Sequence, residues 1–104
     1  ASAALTDDAV YVAGEDRTLR RFKLDSSDAV WKLQMRAKLE SSPVVVGGRL
    51  FLGGNDGKLH AIDLATGKEV WSYETGGKLV ASPAVAAERL VISSDDGVVY
   101  CFGK

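Results

Sequence analysis

The sequence superposes on itself, without a gap, when it is shifted by 40 residues. Ser42-Pro43 falls on Ser82-Pro83, Arg49-Leu50 on Arg89-Leu90 and Asp56-Gly57 on Asp96-Gly97. In the other direction Leu59 falls on Leu19, Leu64 on Leu24, Asp56 on Asp16 and Val70-Trp71 on Val30-Trp31. Identities number nine of 40 positions between the first two units and seven of 24 between the second and third, so pattern carries the register. Val10-Tyr11-Val12, Leu50-Phe51-Leu52 and Leu90-Val91-Ile92 are apolar triplets in the same place of each unit. A fixed period of this kind marks one supersecondary unit used several times, each copy burying against its neighbour a face it cannot bury alone.

Each unit reads as four short strands. In the first they are Ser2–Leu5, Ala9–Ala13, Thr18–Leu24 and Ala29–Met35, and in the second Val44–Val46, Arg49–Gly53, Lys58–Leu64 and Lys68–Glu74. The third supplies Ala84–Val85, Leu90–Ser93 and Val98–Phe102. Asp7-Asp8, Gly14 to Arg17, Gly47-Gly48, Asn55-Asp56-Gly57 and Ala65-Thr66-Gly67 are the turns between them, with glycine supplying positive φ. Pro43 and Pro83 open their strands, where a missing N–H is least harmful. No helical periodicity of useful length occurs; Lys32 to Glu40 has some helical propensity but aligns with a strand and turn in the second unit.

Short strands at even spacing predict an all-β fold, and an ungapped period of one four-stranded sheet predicts a β-propeller segment of antiparallel meander blades. The expected blades are residues 1–40, 41–80 and an incomplete 81–104, all in a single segment. A single β-sandwich would give no reason for the period, and a β-helix would need shorter coils.

Composition narrows the function classes. Thirteen basic and fourteen acidic residues leave a net charge of −1, and only the stretch from Arg17 to Lys23 concentrates positive charge. No basic stripe with a nucleic-acid reading module is present, so no nucleic-acid partner is expected. No apolar run approaches a membrane span, and no transmembrane segment is expected. The N-terminus lacks a secretory-type region, so any targeting peptide is expected outside this sequence. Cys101 is the single cysteine and reads as a buried or half-buried strand thiol.

The sharpest signature is Ala61-x-Asp63-x-x-Thr66-Gly67-Lys68-x-x-Trp71. Asp63 and Thr66 are placed to hydrogen-bond the turn, Gly67 relieves its geometry, Ala61 permits close approach and Trp71 offers a flat face to a neighbouring blade. The motif and its flanks, from Ser42-Pro43 to Val70-Trp71, resemble the tryptophan-docking repeat of pyrroloquinoline-quinone-type propellers, the family of quinoprotein alcohol dehydrogenases and BamB-like assembly lipoproteins. The first unit keeps Trp31 but carries Arg21, Lys23, Ser26, Ser27 and Asp28 at the motif positions, and the third starts with Cys101 and has Gly103 for the aspartate. WD-type propellers share the blade size, but their Gly-His and Trp-Asp signatures are absent.

The resemblance implies one of two roles. The first is a non-catalytic scaffold that binds a protein partner, periplasmic or outer-membrane-associated if it follows BamB in outer-membrane protein assembly. The alternative is a fragment of a quinone-dependent alcohol or sugar dehydrogenase whose catalytic residues lie outside this chain. Only that alternative brings pyrroloquinoline quinone and calcium; no cofactor is expected within this chain, which lacks the family's adjacent cysteines. Asp16, Asp56 and Asp96 recur at repeat spacing and read first as hairpin caps and second as a weak rim cation site. His60, the single histidine, aligns with Arg20 and Tyr100 and has no second ligand nearby in sequence. Ser41-Ser42 and Ser93-Ser94 lie in no nucleophile motif, and Gly53-Gly54-x-x-Gly57 precedes no helix and so reads as a hairpin rather than a phosphate loop. Recognition is expected at Asp7-Asp8, Glu15 to Thr18, Asn55 to Lys58, Glu88-Arg89 and Asp95-Asp96. The expected partner is another protein, further blades, or copies of the chain closing a ring.

Overall fold

The computed structural model describes residues 2–39, 42–79, 84–86 and 89–102. Ser41, Ser82, Pro83, Glu88 and Gly103, named above, lie outside the described residues. The eleven strands are β1 (Ser2–Leu5), β2 (Ala9–Ala13), β3 (Thr18–Lys23), β4 (Ala29–Gln34), β5 (Val44–Val46), β6 (Arg49–Gly53), β7 (Lys58–Asp63), β8 (Glu69–Glu74), β9 (Ala84–Ala86), β10 (Arg89–Ser93) and β11 (Val99–Phe102). They form three antiparallel meanders in sequence order: β1-β2-β3-β4, β5-β6-β7-β8 and β9-β10-β11. The fold is a partial β-propeller of two four-stranded blades and one of three strands.

The repeat extends to irregularities. Between β3 and β4 the register shifts at Arg21/Phe22, so that Arg21 faces Trp31 and Phe22 faces Ala29. Between β7 and β8 it shifts at Ala61/Ile62, forty residues on, pairing Ala61 with Trp71 and Ile62 with Glu69. The skipped residues, Val30 and Val70, are 46% and 45% exposed. The Val-Trp pair is therefore a β-bulge: valine takes the extra position, and the bend turns the tryptophan toward the next blade.

Strand alternation fills the space between blades. Tyr11, Leu19, Leu50, Leu52 and Ile62 join one core between the first two blades, with Trp31, Leu33, Val45 and Leu64 packed against it. Leu59, Leu79, Leu90 and Ile92 join a second between blades two and three, with Phe51, Trp71, Tyr100 and Phe102 beside it. Full burial of each such aliphatic side chain is worth about 1.5–3 kcal/mol, and blade stacking is what provides it.

Candidate functional site: the inter-blade seams and the hairpin rim

The first seam is built on Trp31. Its indole N–H donates to the Leu64 carbonyl of the second blade at 2.8 Å, and Arg21 Nη1 donates to the same oxygen at 3.0 Å. The Trp31 ring lies on the turn that follows: a Cβ added at Gly67 would sit 2.5 Å from Trp31 Cδ2, and Gly67 holds φ at 74°. Only glycine satisfies both conditions. Arg21 also stands 5.7 Å from the Tyr11 ring centroid and 3.5 Å from Asp8, while Tyr11 meets Trp31 at 6.1 Å.

The docking turn is held by its own side chains. Asp63 Oδ2 accepts the Thr66 N–H at 3.2 Å and its hydroxyl at 2.8 Å, and Thr66 Oγ1 accepts the Lys68 N–H at 3.3 Å. Asp63 N donates to the Lys68 carbonyl, Gly67 N to the Asp63 carbonyl and Leu64 N to the Gly48 carbonyl. Asp63, Thr66 and Gly67 therefore shape a surface that a tryptophan from the preceding unit occupies. Ala61, fully buried, leaves room for Trp71, whose ring meets Phe51 at 6.1 Å and Phe102 of the third blade at 5.9 Å.

A second contact spans each seam near the β6–β7 and β10–β11 hairpins. Lys38 N donates to Asn55 Oδ1 at 3.2 Å while Asn55 N donates to the Lys38 carbonyl at 3.0 Å. Forty residues on, Lys78 N donates to Asp95 Oδ1 at 2.8 Å and Asp95 N to the Lys78 carbonyl at 2.9 Å. Each is a reciprocal clamp between an interblade linker and the next hairpin.

Asp16, Asp56 and Asp96 take the same place in three hairpins, and Asp56 and Asp96 sit beside these clamps. Their Oδ1 atoms accept the N–H of Thr18, Lys58 and Val98 at 3.2, 3.1 and 3.2 Å. Asp16 also pairs with Arg20 at 2.7 Å, which holds its carboxyl below the usual range and raises Arg20. Asp96 is lowered as well, first by the Ser94 hydroxyl and then by the Val98 N–H. Arg17 takes φ 66° where the other hairpins have Gly57 and Gly97, and its guanidinium reaches the Arg36 carbonyl at 3.1 Å.

The family model described as outer membrane protein assembly factor BamB matches residues 15–103. The chain belongs to that BamB-like family of propeller repeats. Among solved structures it is similar to BamB from Moraxella catarrhalis, with a TM-score of 0.84 and 23% identity over 96% of this chain and 35% of that one. It is also similar to the quinohemoprotein alcohol dehydrogenase ADHIIG from Pseudomonas putida HK5, with a TM-score of 0.86 and 20% identity over 97% of this chain and 18% of that one. The computationally designed Ika4 protein gives a TM-score of 0.84 at 14% identity, covering 97% of this chain and 63% of that one. These likenesses establish the fold, and the chain spans about a third of the BamB structure. A comparison with curated protein sequences found no match.

Within this BamB-like segment His60 and Ser94 are engaged by neighbouring groups. His60 is buried between two carboxylates, its Nδ1 on Glu69 and its Nε2 3.6 Å from Asp56. It joins β7, β8 and the hairpin, whereas Arg20 in the first blade pairs with Asp16 of its hairpin. Ser94 is hydrogen-bonded to Asp96 and the Val98 carbonyl. No group of three or more metal-ligating side chains occurs among the described residues. Cys101 is exposed rather than buried or half-buried, because β11 is the last strand of its sheet among the described residues.

Two contacts escaped the sequence reading. The clamps use backbone atoms of Lys38 and Lys78, and their sequence trace is the recurrence of Lys-Leu at 38–39 and 78–79. The Leu64 carbonyl accepts two side chains from another blade, and a carbonyl leaves no sequence signal at all.

Proposed function

We propose that this chain is part of a non-catalytic propeller scaffold that presents its hairpin rim to a protein partner, in the manner of a factor for outer-membrane protein assembly. The observation that carries this reading is the engagement of the motif's own chemistry in structure: Asp63 and Thr66 cap a turn, Gly67 receives Trp31, and His60 is fixed by Glu69 and Asp56. The family model's description supports the same reading. The rim carries exposed Glu15, Asp16, Asp95 and Asp96 beside Arg17 and Arg36, a charge pattern that a complementary protein surface would match. On this reading the protein works at the periplasmic side of the outer membrane.

The likeness to a quinohemoprotein dehydrogenase motivates the second reading, in which quinone chemistry is supplied by segments outside this chain. Two measurements separate them. A photo-crosslinker placed at Glu15 or Asp95 of the full-length protein in its native cell is expected to capture components of outer-membrane protein assembly, and loss of those adducts in an Asp16→Lys/Asp96→Lys variant would tie them to the rim. Saturable binding of pyrroloquinoline quinone with calcium, together with the absence of any such adduct, would overturn the scaffold reading.

A further inference from the structure

The root of each hairpin has the same place in the repeat but different residues: Ala13-Gly14-Glu15 in the first blade, Gly53-Gly54-Asn55 in the second and Ser93-Ser94-Asp95 in the third. Only the second opens with glycine, and Gly53 is not among the glycines at positive φ. Space requires it instead. A Cβ at Gly53 would lie 2.5 Å from the Leu79 Cβ and 3.2 Å from the Leu79 carbonyl oxygen, so the collision is partly with backbone that cannot turn aside. Leu79, from the linker that leaves the blade, is thereby drawn fully into the core beside Leu59, Leu90 and Ile92. The repeat sets its counterpart Leu39 with Ala13, which carries a Cβ, and Leu39 is only partly buried.

Three consecutive residues of the second hairpin thus hold both linkers. Gly53 seats the Leu79 side chain, the Gly54 carbonyl accepts the Leu79 N–H at 3.4 Å, and Gly54 bridges Leu39 of the preceding linker. Asn55 closes the clamp on Lys38. The residue before Leu79 is Lys78, whose N–H and carbonyl close the second clamp on Asp95. The contacts form an unbroken row: Lys38 to Asn55, along two peptide bonds to Gly53, across to Leu79, along one to Lys78, and across to Asp95.

We propose that this row is a conformational relay, in which the seated Leu79 couples the two clamps, so that an event at the β6–β7 hairpin reaches the β10–β11 hairpin of the next blade. Leu79 supplies the two-state element that such coupling requires. Seated, it fixes the linker where Lys78 meets Asp95; withdrawn, it frees the linker, and both clamps lose their support. A partner that orders Asn55 therefore orders Asp95 as well, and adjacent hairpins act as one surface. Coupling of this kind is reciprocal: whatever Asn55 does to Asp95, Asp95 does to Asn55 by the same factor. The relay is a property of the fold and holds whether or not the hairpin rim binds a partner.

Amide exchange, resolved residue by residue by NMR on the full chain, tests it. The reporters are the Asn55 and Asp95 N–H groups, bonded to the Lys38 and Lys78 carbonyls, and the reference is the Gly67 N–H, bonded to Asp63 at the opposite end of the second blade. Asn55→Ala is expected to speed exchange at Asp95 at least about fivefold over the reference, and Asp95→Ala to speed Asn55 by a matching factor. Gly53→Ala, which unseats Leu79, is expected to speed both and to abolish any further effect of Asn55→Ala on Asp95. Unchanged Asp95 exchange in Asn55→Ala, or acceleration in one direction only, would overturn the proposal. So would equal acceleration at Gly67, which marks a global loss of stability. Should Gly53→Ala not fold, the reciprocal pair of variants decides alone.

Discussion

The seam between blades one and two and the seam between blades two and three are built to one plan and finished differently. Both carry a linker-to-hairpin clamp, Lys38 with Asn55 and Lys78 with Asp95. In the first, a tryptophan is hydrogen-bonded across the seam and backed by aliphatic Leu50, Leu52 and Ile62. In the second, the tryptophan sits in an aromatic cluster in which Tyr73 meets Tyr100 at 6.0 Å and Phe102 at 5.1 Å, and its indole proton is not used among the described residues. The difference separates two contributions to blade stacking. The clamp and the apolar contact recur in both seams, and at the first the glycine turn adds directional locking.

The largest break in this symmetry is expected from the tryptophans. Trp31→Ala removes a packed ring and a cross-seam hydrogen bond and should cost about 3–5 kcal/mol in urea unfolding. Trp71→Ala should cost about 1–2 kcal/mol less, because no hydrogen bond from its indole occurs among the described residues. Equal costs would mean that the indole bond contributes nothing.

Glycines sharpen the same contrast. Gly67→Ala places a methyl group against the Trp31 ring at a positive φ and should cost about 2–3 kcal/mol. Gly97→Ala meets nothing within 4 Å, so only its φ of 87° is strained, and about 1–2 kcal/mol is expected. Thermal denaturation of the two variants checks the order.

How much of this was legible in the sequence follows from the same residues. The repeat located every strand to within a residue or two, because turn glycines and aspartates punctuate alternating apolar runs. β7 ends at Asp63 rather than Leu64, since Leu64 leaves the ladder to offer its carbonyl to Trp31. β4 and β3 likewise stop at Gln34 and Lys23. The docking motif was visible as a contiguous string, but its contacts are shifted by one unit: the turn at Gly67 serves Trp31, not the Trp71 of its own string. A periodic sequence gives the parts of a joint without saying which copies meet. The clamps were illegible because half of each is backbone.

A smaller effect is expected at the clamps. Asn55→Ala leaves the Lys38 N–H without its acceptor and should cost about 1 kcal/mol, with Asn55→Asp restoring most of it by reproducing the Asp95 arrangement. Chemical denaturation of the two variants measures the difference.

The smallest effect is one of pH. Asp16 and Asp96 are held below the ordinary value of 3.8 in the folded chain. The stability they add is therefore full above that value and is lost as pH falls through their lowered folded-state values. Melting temperatures of Asp16→Asn and Asp96→Asn variants should accordingly fall less steeply in acid than those of the parent chain; an unchanged acid profile would show that neither cap matters.

Hydrogen exchange at the two indole N–H groups tests the central claim most directly, since both can be read in one unmodified sample. Strong protection of the Trp31 proton alongside rapid exchange at Trp71 is the predicted result. Similar protection at both, or a faster rate at Trp31, would contradict the assignment of the Leu64–Gly67 turn as the lock of the first seam.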